Sequence, residues 1–555
     1  MGSRRSSSVL GGIAILAFIA APLLVAWSPP SDGHAAHAAA PSSDEPHAGH
    51  DMGTAPASDP HAGHAMPMPG PLPPAISAAK SGDFKTGQPF SDPPKILSRN
   101  GELKVTLTAF SMPVRISGKL VNARVYGASA YGKSYAPSFA PPTLVTNPGD
   151  TVIFTLVNKL PEPTNVHTHG WFVSPMGNSD DIYASLPSGS TLTYQYLLPK
   201  DLAPGTYWYH PHEHGLVEEQ VFGGLAGFLY VKGLKEMLPD KLADAKEHFI
   251  MLKDMQLNKG NSIINTNIDS NKPTNRFVNG LMKPVMQMKP GETQMWHIGN
   301  MSADIWYTLA AAGMQFHVIA EDGNPVDTPW TVSDLLIAPG KRFDVIVRAP
   351  KSGSVELKTM KMSTGPAGDT YPTVGLATIE LAGQQQKAIP LPKTVRPANA
   401  PYWIDLLSKP VAKERTFVLT EDKNGFYING KSWSENFIDA TPLKGTVEQW
   451  TYINETGEDH PIHIHVNDMQ VVTINGVAQS TNWVDTQKVP AMTKDASGAK
   501  QPGRVVVRMD FRKYVGTYVF HCHILAHEDN GMMGNVTVTT PPSTPQVVPA
   551  ERLGA

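Results

Sequence analysis

Three widely separated stretches of the chain share one alternation of apolar and polar positions. They are NPGDTVIFTLVN (147–158), KPGETQMWHIGN (289–300) and LKGTVEQWTYIN (443–454), each a Gly-containing turn that feeds an alternating run and closes on asparagine. A period of two is the mark of a strand with one buried face. Recurrence at about 140 to 155 residues is too long for a solenoid repeat and suits whole domains. The pattern predicts an all-β protein of three β-sandwich domains, over residues 96–235, 236–390 and 391–545. A shorter echo links the outer two: Gly205-Thr-Tyr-Trp-Tyr-His210-Pro211-His212 against Gly516-Thr-Tyr-Val-Phe-His521-Cys522-His523.

Composition supports this class. Charged residues make up 17% of the chain, and 47 Gly and 50 Pro fit many short strands joined by turns. A net charge of −3 gives no basic footprint for nucleic acid. The one long apolar run, Val9 to Trp27, follows Arg4-Arg5 and precedes the small residues Ala35 to Ala40, which reads residues 1–40 as an export signal, with a partial match to the twin-arginine type. Its length is close to the roughly 20 residues that span a bilayer, so an uncleaved membrane anchor is the alternative. Either way the expected location is periplasmic or extracellular. Residues 41–95 form a tail rich in His, Met and Pro, expected to be disordered for want of large apolar residues. Within it PHAGHDM (46–52) recurs as PHAGHAM (60–66), a set suited to loose copper capture or to a plain spacer.

The chain has 20 histidines and one cysteine. Four His-x-His pairs stand out: His167/His169, His210/His212, His463/His465 and His521/His523. Random placement would give about 0.7 such pairs. On a strand each pair presents two imidazoles on one face. Cys522 lies between the last two, so its sulfur faces the other way, and one tripeptide can hold two metal centres back to back. His527 and Met532 follow at intervals that suit a trigonal copper site of thiolate, two imidazoles and a weak axial thioether. Met533 adjoins Met532 but fits that spacing less well. The first domain has Pro211 where the third has Cys522, and the second domain has neither cysteine nor a His-x-His pair. Its His248, His297 and His317 read as structural and its methionines from Met282 to Met301 as mainly core filling, while Met360 and Met362, before a Gly/Pro-rich loop, suit either a Cu(I) contact or gap filling.

These motifs, spread over roughly Leu97 to Val538, resemble the multicopper oxidases, in particular three-domain bacterial laccases and cuprous oxidases. The motifs are His-x-His-Gly from His167 to Gly170, His-Pro-His from His210, His-Pro-x-His-x-His from His460, and His-Cys-His-x3-His-x4-Met from His521. The resemblance implies cupredoxin-like domains and four copper ions. It implies a type 1 site at His460, Cys522, His527 and Met532, and a type 2 site at His167 and His463. The type 3 pair would lie at His169, His210, His212, His465, His521 and His523. It further implies one-electron oxidation of a small reductant, coupled to four-electron reduction of dioxygen to water. Glu528 matches a proton-relay glutamate of bacterial relatives, and Asp180 or Asp181 follows His-x-His-Gly as a laccase acid does. Glu458 and Asp459 precede His460, where they would attract a cationic donor or form an ordinary solvated turn. Phenols or aromatic amines are the expected donors, Cu(I) the alternative, and an exported copper-sequestering protein the non-enzymatic alternative.

Overall fold

The computed structural model describes residues 84–265, 268–396, 403–480 and 482–541. The expected export signal and most of the expected tail lie outside the described residues. Strands dominate, with three short α-helices at Val217–Gly223, Asp240–Ala243 and Leu525–Asp529. Among the described residues no helix is long and apolar enough to cross a membrane. The main sheets come in three successive pairs, built from strands between Lys95 and Val231, between Lys246 and Leu381, and between Val411 and Val538.

The repeated motif occupies the same place each time. Thr151–Lys159 pairs in parallel with Glu102–Ile116, Thr293–Asn300 with Lys246–Met255, and Val447–Asn454 with Val411–Asp422. The closing asparagine explains the recurrence. Asn158, Asn300 and Asn454 are each 0 to 1% exposed, so both ends of the amide need partners. Each Oδ1 accepts from the backbone N–H two residues on, and each Nδ2 donates to two or more carbonyls, one of them on a distant segment. The residue thus ends the strand and pins the loop after it.

One apolar cluster joins the first and last sandwiches, gathering Phe154, Trp171 and Tyr209 with Trp450, Tyr452 and Phe520. The middle sandwich has its own cluster around Trp296, Trp306 and Phe316. The outer two are therefore packed as one body, which brings their histidine-bearing ends together.

Residues 84–95, which composition assigns to the tail, make specific contacts with the sandwiches. Phe84 is buried against Phe277, and Phe90 packs edge-on to His248. Phe90 N–H donates to the Val285 carbonyl, and Asp92 accepts from Phe249 N–H at 2.7 Å. Phe84, Phe90 and Asp92 thus hold this segment on the middle sandwich, and Lys85 ties it to Ser117 of the first. Averaged composition over a Pro-rich window hides them.

Candidate metal centres

The strand register sets the histidine pairs opposite one another. His167 pairs with His210 in the first sandwich, and His463 with His521 in the last. The two halves then interleave: His167 stacks on His465 and His169 on His463, each with ring centroids 3.7 Å apart. All eight imidazoles are at most 1% exposed.

Within a His-x-His pair the rings sit 5.1 to 6.1 Å apart. Such spacings allow a pair either to share one ion or to be split between two, and the convergence of ligand atoms decides. Ligand atoms of His169, His210 and His523 lie within 4.8 Å of one another, as do those of His212, His465 and His521. His167 and His463 approach His169 as a further group. The pairs His210/His212, His463/His465 and His521/His523 are each split between groups, whereas His167 and His169 share the further one, and each outer sandwich contributes four of the eight rings.

Hydrogen bonds fix which nitrogen faces inward. His167 Nδ1 meets Asp180 Oδ2 at 2.8 Å, His210 Nδ1 donates to the Pro211 carbonyl at 2.8 Å, and His463 Nδ1 donates to the Asp485 carbonyl at 2.9 Å. The Nε2 atoms of these three are buried without a partner. His169 is reversed: its Nε2 is held by Asp485 Oδ1 at 3.1 Å and Thr486 Oγ1 at 3.3 Å, and Nδ1 is the orphan. Both ring nitrogens of His465 and His523 lack partners. Buried polar atoms are normally satisfied. So many orphaned nitrogens converging on one interior point fit metal ions and fit no protein group present.

Electrostatics agree. Burial, reinforced by the neighbouring imidazoles, lowers His169, His210, His212, His465 and His523 well below the ordinary histidine range. Burial also brings His463 down to about 4, against the opposing pull of Asp485. Neutral imidazole is the metal-binding form.

The mononuclear group lies on the other side of the same strand, Gly516–Cys522. Cys522 Sγ is 3.5 Å from His460 Nδ1 and 3.7 Å from His527 Nδ1, and the two Nδ1 atoms are 3.3 Å apart. His460 is turned by Thr456 Oγ1 at its Nε2, 2.7 Å away, and burial lowers its pKa to about 3. The His527 ring stacks on Phe426 at 3.9 Å. Met532 is fully buried in the cluster that holds Cys522, whereas Met533 packs with Val519 and Ile182, which separates the two neighbours. Burial pushes the Cys522 thiol up, so a bound cation is what would stabilise its thiolate.

Of the acids, Asp180 rather than Asp181 reaches the cluster. Burial pushes the Asp180 carboxyl up, but the charge and hydrogen bond of His167 and the donors of Thr168 outweigh it and hold it below its ordinary value. Glu528 is fully buried, with Oε2 2.8 Å from His521 Nδ1 and Oε1 3.3 Å from His212 Nε2, and neither contact has hydrogen-bond geometry. Glu458 Oε2 lies 3.7 Å from His527 Nε2, and burial with the nearby Asp304 charge raises it to about 8. Asp459 is taken up by Ala491 N–H and Lys488. His214 packs on Trp433, outside all the groups. His248, His297 and His317 of the middle sandwich pair with Asp92, Asp344 and Thr331.

Asp485 and Arg342 carry no spacing signal and are not among the residues that the sequence marks. Both are 1% exposed. Arg342 grips Asp485 with two N–H···O contacts of 2.8 and 2.5 Å. Burial opposes the Asp485 charge, but Arg342 dominates and holds the carboxyl far below its usual range.

Three sequence profiles described as multicopper oxidase match residues 123–236, 204–356 and 407–542. Multicopper oxidase mco of Staphylococcus haemolyticus is 27% identical over 409 residues, covering 72% of this chain and 82% of its own. A laccase of Bacillus stratosphericus is 28% identical over 468 residues, covering 72% and 89%. Among solved structures, a Campylobacter jejuni multicopper oxidase described as a metallo-oxidase superposes with a TM-score of 0.70 at 26% identity, covering 84% of this chain and 98% of that one.

Proposed function

The chain belongs to the multicopper oxidase family, and from that premise we propose that it withdraws single electrons from a donor at one copper and reduces dioxygen to water at three others. His460, Cys522, His527 and Met532 would hold the first, as type 1 ligands. His167 and His463 would hold a type 2 ion, and the two trios His169/His210/His523 and His212/His465/His521 a type 3 pair. When bound, copper supplies the one-electron acceptor and the multi-electron chemistry with dioxygen. What carries the reading is the set of orphaned nitrogens on two trios whose members His521 and His523 flank the one thiol.

The chain's own residues do the rest. Complete burial keeps bulk water from the eight rings, and Asp180, the Pro211 carbonyl and Asp485 select the tautomers of His167, His210, His169 and His463. Glu528, between His521 and His212, is placed to hold and release protons at its carboxylate oxygens. Asp180 spends its lone pairs on His167 and Thr168, so it acts as the orienting partner of His167. Residues 1–40 would send the protein out of the cytoplasm, where the donor is met.

Metal analysis with oxygen uptake tests this. The expected result is four coppers per chain and one dioxygen consumed per four donor electrons, without peroxide. Peroxide as the product, or copper in the mononuclear site alone, would overturn it. Phenols and aromatic amines are the donors proposed first. Cu(I) is the second reading, favoured by Glu458 beside the His527 edge with Asp304 and Asp369 close by. If Cu(I) is the donor, Glu458→Gln lowers kcat/KM for Cu(I) and leaves that for a phenol unchanged.

A further inference from the structure

We propose that Arg342, carried by the metal-free middle sandwich, is a positioning residue for the oxygen-reducing centre: it fixes Asp485, and Asp485 sets the orientation of His169 and His463. The inference rests on the function proposed above. Arg342 begins the strand Arg342–Arg348, and its guanidinium touches all three sandwiches. Nη1 and Nη2 fork onto Asp485 of the last, and Nε donates to the Thr206 carbonyl of the first at 3.2 Å, on the strand that ends at His210. Its own backbone N–H donates to Asp322 at 3.0 Å.

Two neighbours press the same turn against the histidines. Lys341 Nζ donates to the Thr486 carbonyl at 2.8 Å. Gly340, at φ +81, lies so near His523 that a Cβ there would come within 2.8 Å of the ring. On the opposite side Gly170, which closes His-x-His-Gly, leaves the space that the Asp485 carboxylate and Arg342 occupy.

The contacts have a directional consequence. Asp485 presents Oδ1 to His169 Nε2 and its backbone carbonyl to His463 Nδ1. These acceptors leave lone pairs on His169 Nδ1 and on His463 Nε2, the two atoms that face inward without partners. A carboxylate free to rotate would lose the choice at His169, and a shift of the residue as a whole would loosen the carbonyl on His463. A planar guanidinium that makes two parallel bonds locks it, and the point charge of lysine cannot.

The test uses the full, copper-loaded chain as wild type, Arg342→Lys and Asp485→Asn. Electron paramagnetic resonance distinguishes type 1 from type 2 copper, and exchange against a chelator reads copper retention. The expected result is an unchanged type 1 signal, an altered type 2 signal and release of cluster copper about 10- to 100-fold easier, the usual range for removing an outer partner of a ligand. Arg342→Lys that keeps the wild-type type 2 signal and retention overturns the inference, and so does equal loss from both sites. Should Arg342→Lys not fold, Asp485→Asn reads the same contact from the other side, with the same outcomes deciding. A wild-type protein without any type 2 signal would instead sink the function proposed above.

Discussion

The outer sandwiches and the middle one follow the same plan and do opposite things with it. In all three a buried asparagine closes the central strand and ties down the next loop. In the last sandwich that loop leads to His460, since Asn454 Nδ2 holds the Glu458 carbonyl at 2.6 Å. In the middle one the strands at the corresponding sheet positions, Tyr307–Ala311 and Ser354–Thr359, carry no histidine. The capacity for copper therefore lies in a few strand-end positions and not in the sandwich. The middle domain puts its buried charges to structural use: Arg342 reaches Asp485 of the last sandwich, and His297 meets Asp344 of its own at 2.5 Å. Burial lowers the pKa of His169, His210, His212, His463, His465 and His523 in the outer sandwiches. His297 is the reverse, because burial opposes its charge but Asp344 and Glu247 outweigh burial and raise its pKa.

The sharpest break in this comparison is Cys522→Ser, which should abolish the blue absorption and reduce donor oxidation to background while cluster copper stays, as absorbance and metal analysis would show. Glu528→Gln should slow turnover by about 10²- to 10⁴-fold, the range for a proton-transfer group, at unchanged copper content. Normal turnover with four coppers bound would end that assignment. The asparagines separate fold from function: Asn300→Ala and Asn454→Ala should each cost about 1–3 kcal/mol in urea unfolding, from buried partners left unpaired. Only Asn454→Ala should also shift the blue band. The smallest effect concerns His297→Gln. With its folded pKa above the unfolded value of about 6.5, His297 adds stability that is fully present below the unfolded pKa and fades as pH rises through the folded one. The stability gap between wild type and variant should therefore narrow with rising pH. A gap that widens instead would mean that folding makes His297 less basic.

The all-β class was legible because alternation and turn chemistry are local. The ligand positions were marked for a related reason: paired imidazoles at i and i+2 have no common bland cause. How the six type 3 candidates group into two trios was not readable, since it depends on packing between strands such as His167–His169 and His460–Ile464, which are far apart in sequence. Asp485 in NWVDTQ and Arg342 in PGKRFD resemble any polar residue beside a strand. Only their burial and their fork make them informative. Asp180 and Asp181 were indistinguishable in sequence for the same reason, and one hydrogen bond to His167 separates them.

The even division of eight rings between two sandwiches bears on how the protein matures. Domains fold in order as a chain is made, and neither trio can be completed from one sandwich. A nascent or truncated product would thus carry half-sets of imidazoles with no place to hold oxygen. The two trios would be completed only when the last histidine-bearing strand, Gly516–Cys522, docks against the first sandwich.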